Sequence, residues 1–147
     1  MQKSLSAVFE KDLIRLKSEI EAYSVEQKLW MKAEGISNSA GNLCLHILGN
    51  LNNDIGAILG NTGYVRNRPA EFSEKTSKDY LLKLLDETTE MVKQTISNLD
   101  SEVLNQTYPD NVFGYEMKTE YFLIHLVGHL NYHLGQINYH RRILCYN

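Results

Sequence analysis

The chain has 147 residues, 43 % of them hydrophobic, with 15 basic and 18 acidic side chains and a formal net charge of −3. That length suits a single domain over 1–147 with its own core, and the mild acidity excludes the basic footprint of a nucleic-acid-binding surface. Charges at Lys3, Glu10, Lys11, Asp12 and Arg15 break up any signal-peptide core, and no run reaches the length of a membrane span.

The first helix is expected from about residue 4 to 23, with Leu5, Phe9, Leu13, Leu16 and Ile20 on one face. An irregular stretch follows, and the Ser37-Asn38-Ser39 cluster offers N-caps for a second helix over about 39–59. There Leu43, Ile47, Leu51, Ile55 and Ile58 turn inward, while His46, Asn50 and Asn53 form an adjoining polar stripe at i, i+4 and i+7. The Gly60-Asn61 pair ends it. Cys44 lies about 160° around the helix from His46, so the two cannot face one ion. Cys44 and Cys145 show no CxxC spacing and fit a reduced, cytoplasmic protein.

Residues 61–76 make a long connection carrying Arg66, Arg68, Pro69, Glu71 and Phe72, which suggests a crossover or a functional loop. The two arginines read as solvated loop charges, or as a hold on an anionic substrate tail if the crossover folds over a site. Thr76-Ser77-Lys78-Asp79 caps a third helix reaching about residue 98, with Leu81, Leu84, Leu85, Thr88, Val92, Thr95 and Leu99 inward. A short turn at 101–104 and the aromatic segment TYPDNVFGYE precede the last helix, 121–144. Four helices without strand alternation predict an all-α four-helix bundle.

The last helix holds His125, His129, His133 and His140, four of the five histidines. At roughly 100° per residue these and Gln136 fall within an arc of about 80°, beside Leu123, Leu126, Leu130, Leu134 and Ile137. Imidazole so placed is either hydrogen-bonded in the core, the reading kept for His140, or bound to a metal. The i, i+4 spacing of His129 and His133 presents two nitrogens to one ion, and His46 is the histidine outside this helix that can complete a triad. His125 and His129 make an equally good pair. All three cannot share an ion, because His125 and His133 stand about 12 Å apart along the axis. Spacing leaves that choice open. The sequence argues against a zincin peptidase, since Leu130 follows His129 where that mechanism needs glutamate. The helical stripe offers no carboxylate base, and Asp110 and Glu116 in the preceding loop are weak substitutes. Asn50 and Gln136 are candidates for orienting a bound ligand, or for hydrogen bonds to the histidine rings.

NLCLHILGNL around His46 and HLVGHLNYHLGQI around His129 and His133 resemble the DinB/YfiT-like superfamily of metalloenzymes, the segment His133-Leu134-Gly135-Gln136-Ile137 most specifically. The resemblance spans essentially the whole chain and implies an up-down-down-up bundle with a long crossover between the second and third helices. It implies His46, His129 and His133 as ligands to a divalent metal, with His125 an extra; zinc or nickel comes first, and iron or manganese also accepts imidazole. It further implies a small-molecule substrate, a low-molecular-weight thiol as partner in an S-transferase reaction on small electrophiles, and a homodimer. Gly128 and Gly135 would permit close helix contact, intramolecular packing being the simpler account of them. The alternative is a non-catalytic dimeric bundle whose histidines hold a structural metal or none.

Overall fold

The fold was described from a computed structural model covering residues 1–146. Its helices are α1 (Gln2–Glu21), α2 (Glu26–Leu29), α3 (Ala40–Leu51, continued by the π-helical Asn52–Ala57 and by Ile58–Gly60), α4 (Arg68–Ser73), α5 (Lys78–Ser97), α6 (Ser101–Asn105) and α7 (Thr119–Leu144). Ser39 and Ser77 cap α3 and α5 by accepting from the Asn42 and Tyr80 amides, and Asn61 closes α3 at a left-handed φ of 49°. The short helices α2 and α4 lie in stretches expected to be irregular. Asn67 caps α4, whose second residue is Pro69.

Side-chain pairings fix the topology. Lys17 with Asp86, Glu10 with Lys93 and Ser6 with Ser97 run in opposite senses, so α1 and α5 are antiparallel. Asp12 with Asn131 and Glu19 with Asn138 advance together, so α1 and α7 are parallel. Asn52 bonds Thr88, and Gly56 and Gly60 lie against Met91 and Thr95, which makes α3 and α5 parallel. Up, down, down, up is the only order that satisfies all three. Joining parallel α3 and α5 requires a chain return along their length, and residues 61–77 with α4 supply it.

The expected apolar faces of α1 and α7 are buried throughout. On α5 the inward position is Ile96 rather than Thr95, which is half-buried. His140 is a core residue: Tyr23 Oη lies 2.7 Å from its Nδ1, and the Met31 carbonyl 2.8 Å from its Nε2.

One departure matters for the site. Within α3, Asn52–Ala57 winds as a π-helix, whose i→i+5 bonds widen the turn. In a regular helix Asp54, eight residues beyond His46, would lie about 80° around from it. The wider winding turns it back toward the His46 meridian. The Asp54 carbonyl accepts from the Tyr108 hydroxyl at 2.8 Å. Tyr108 sits in the loop before α7, which is pinned by the Tyr108 amide to the Met117 carbonyl and the Thr119 amide to the Gln106 carbonyl.

Candidate metal centre

His46 on α3 and His129 and His133 on α7 converge where those helices face each other. Nitrogen atoms from the three rings lie within 4.8 Å of one another. His46 Nε2 and His129 Nε2 are 3.2 Å apart, against about 3.3 Å for two nitrogens on one tetrahedral zinc at Zn–N distances of 2.0–2.1 Å. The rings pack edge to face, with centroids 5.0 Å apart for His46 and His133 and 4.6 Å for His129 and His133.

Two of the three rings have their outer nitrogen occupied. His46 Nδ1 donates to Glu71 Oε1 at 2.9 Å, and His133 Nδ1 donates to Gln136 Oε1 at 2.7 Å. Each bond fixes the tautomer that leaves Nε2 unprotonated, with its lone pair available to an ion. Burial, aided by the neighbouring His133 and His46, pushes His129 down to about 4. Burial likewise lowers His133. Neutral imidazoles with Nε2 free are the form a cation binds, so the residues fit a divalent metal. Among the described residues this is the one such cluster of histidine, cysteine or carboxylate groups.

Glu71 comes from α4, in the crossover. It is buried, and Arg66 clamps it through Nε at 2.8 Å to Oε2 and Nη2 at 2.9 Å to Oε1. Burial alone would raise the Glu71 carboxyl, but hydrogen bonds from His46 and Arg66 and the Arg66 charge hold it below the usual range. A Cβ at Gly49 would fall inside this carboxylate, so only glycine leaves room for it on α3. Arg66 is therefore no solvated loop charge; Arg68 is exposed, its guanidinium over the Phe72 ring.

His125 stays outside the triad, on an exposed part of α7 against Phe113. Gln136 bonds a histidine ring as the sequence suggested. Asn50 does not; its amide donates to Asp54 Oδ2 at 2.7 Å. Asp54 is buried on α3 and, with Asp110, lines a cavity of about 480 Å³ that also reaches His46, His129, Asn50 and Arg66. The histidine stripe of α7 itself carries no carboxylate; Asp54 comes from α3, and of the two loop candidates Asp110 lines the cavity while Glu116 does not. Cys44 is buried in the core, and burial raises its thiol far above the ordinary value, so it supplies no nucleophile.

A family model described as "Protein of unknown function (DUF1572)" matches residues 5–147. No curated protein matches the sequence. Among solved structures, a conserved protein from Enterococcus faecalis is similar at TM-score 0.79 and 15 % identity, over 100 % of this chain and 98 % of that one. A DinB-like protein from Bacillus cereus is similar at TM-score 0.68 and 17 % identity, over 89 % of this chain and 84 % of that one.

Proposed function

From the premise that the chain belongs to the DUF1572 family and has a DinB-like fold, we propose that it is a metal-dependent enzyme transferring a low-molecular-weight thiol to a small electrophile. The observation that carries the reading is the convergence of ring nitrogens of His46, His129 and His133 beside a cavity, with Nδ1 of His46 and of His133 each held by a partner that leaves Nε2 unprotonated. A divalent ion there, zinc or nickel first, would favour thiolate over thiol. The protein's own groups then have defined tasks. Three neutral imidazoles leave the ion's charge uncompensated. Glu71 and Gln136 hold two rings in register, and Arg66 keeps Glu71 ionised. The cavity admits the second reactant beside His46 and His129.

A purely structural site would close with a fourth protein ligand, and His125, the ligand that would close it, stands against Phe113 instead. No helix among the described residues is long and apolar enough to cross a membrane. Both cysteines are unpaired, which supports a reducing, cytoplasmic setting.

We also propose a homodimer through the outer face of α7. Tyr121, Ile124, Tyr132, Tyr139 and Ile143 are all exposed there, with no lysine or glutamate among them. Gly128 and Gly135 lie on the same face, and a Cβ at either would meet nothing within 4 Å, so intramolecular packing does not account for them.

The enzymatic reading is tested by elemental analysis of untagged protein beside a His129→Ala variant, followed by assays with a thiol and model electrophiles. Near-stoichiometric metal lost in the variant, with metal-dependent turnover, is expected. Metal without turnover across a broad panel would leave a structural site.

A further inference from the structure

The cavity beside the triad has a second end, built from acceptors. Asn50 is 9 % exposed and Asp54 is 5 % exposed. Asp54 takes the Asn50 amide on Oδ2 at 2.7 Å and the Asn53 amide on Oδ1 at 2.8 Å. With its Nδ2 committed to Asp54, Asn50 is left with Oδ1 as its free end. That oxygen is buried and has no partner. A buried acceptor without a donor is costly, so such an atom marks a place where a donor is due.

The charges nearby specify the donor. Asp54 makes no ion pair among the described residues: of the two arginines lining the cavity, Arg66 is engaged bidentately by Glu71 and Arg68 lies over the Phe72 ring. Asp110 adds a second carboxylate to the same lining. Side chains on a helix lean toward its N-terminus, so Asp54 leans over Asn50, and Asn50 over His46. Asn50 and Asp54 both line the cavity that reaches His46 and His129. An alcohol would satisfy Asn50 Oδ1 and leave Asp54 uncompensated. An ammonium satisfies both.

We infer that Asn50 and Asp54 form a recognition pocket for an ammonium group on the small molecule that binds at the three-histidine centre, the π-helical turn of α3 being the device that brings Asp54 into it. This rests on the metal–thiol reading above and assigns the ligand class: an aminothiol, its sulfur at the histidines and its amino group at Asn50 Oδ1 and the Asp54 carboxylate. Asn50 and Asp54 select the ligand and are not required for the metal.

The test uses cobalt(II)-loaded protein, in which a bound thiolate gives a sulfur-to-metal absorption band. Cysteamine and 2-mercaptoethanol are titrated against the parent, Asp54→Asn and Asn50→Ala; the two thiols match in size and differ in ammonium against hydroxyl. In the parent, cysteamine should bind about tenfold more tightly than 2-mercaptoethanol, an ordinary gain for a charge-assisted hydrogen bond. In each variant that ratio should fall toward one, with the 2-mercaptoethanol affinity and the cobalt content unchanged. Equal affinities in the parent, or a preference that survives in whichever variant folds, would overturn the pocket. So would displacement of cysteamine by magnesium or calcium, which would make the acceptors a cation site. If neither thiol produces a band, the thiol reading of the centre fails on its own account. The pocket is then judged by the Asn50 side-chain amide resonances on adding ethylammonium against ethanol: a saturable shift with the amine alone upholds it, and no shift disproves it.

Discussion

Glu71 Oε1 sits 2.9 Å from His46 Nδ1, although the two residues belong to different helices and Glu71 reaches the site from the crossover. The contact turns a loop carboxylate into the element that sets which nitrogen of His46 faces the ion. Carboxylates in this position raise the basicity of the ligand, and their loss typically costs 10–100-fold in metal affinity. Glu71→Gln should therefore weaken metal binding by about that factor, measured by competition with a chromophoric chelator, while the helical circular dichroism stays intact. Gly49→Ala should do the same by a different route, since its methyl would occupy the carboxylate's place. Unchanged affinity in both variants would reduce the Glu71 contact to a packing detail.

His125 and His133 are equivalent partners for His129 by spacing, and the fold separates them. His133 has its far nitrogen held by Gln136, whereas His125 packs edge-on to Phe113 at a centroid distance of 4.7 Å. Single alanine variants at His46, His129 and His133 should each lose most of the metal in elemental analysis. His125→Ala should retain it. Retention by His133→Ala together with loss in His125→Ala would show that the wrong pair had been chosen.

How much of this was legible before the structure depends on whether a group sits on a regular helix. His129, His133, Gln136 and the apolar stripe beside them follow from 3.6-residue periodicity, and so does the placing of His46 on the inner polar stripe of α3. Glu71 and Arg66 were visible only as charges in a long connection. Their role depends on that connection folding back through α4, which no periodicity encodes. Asp54 gave no sign in the sequence for a sharper reason: regular winding puts it off the His46 face, and the π turn of Asn52–Ala57 leaves no repeat in the sequence. Gly49 carried a faint signal, a helix-weakening residue in mid-helix, whose place the Glu71 carboxylate explains.

Glu19 on α1 takes hydrogen bonds from Arg141 and Asn138 of α7. Burial would raise its carboxyl, but these bonds and the charges of Arg141 and Arg15 leave it lowered. A carboxyl lowered on folding stabilises the native state fully above its unfolded value, which lies near 4.5, and the contribution disappears as pH falls through the folded value. Glu19→Gln should thus destabilise by about 1 kcal/mol at pH 7, as suits a partly exposed ion pair, with the gap to the parent closing below about pH 4. Urea melts of both proteins at pH 7, 5 and 3.5 decide this. A gap that does not vary with pH would mean that the ionised form of Glu19 contributes nothing particular.

Tyr132 lies midway along the exposed stripe of α7, between Tyr121 and Ile143, with Gly128 and Gly135 one turn to either side. A stripe laid out about its own centre is what an antiparallel, two-fold contact between copies requires, because each residue then meets its mirror position on the partner. Large rings flanked by glycines also allow the Tyr132 rings of two copies to settle against bare backbone. The parent should sediment as a dimer at micromolar concentration. Tyr132→Glu should sediment as a monomer, since two carboxylates would be forced together near the axis. Because Tyr132 is exposed and neighbours His133 without sharing its hydrogen bond to Gln136, the monomeric variant should still bind metal. A parent that sediments as a monomer would leave this face of α7 without a partner, and a variant that loses metal along with dimerisation would tie the histidine centre to the interface.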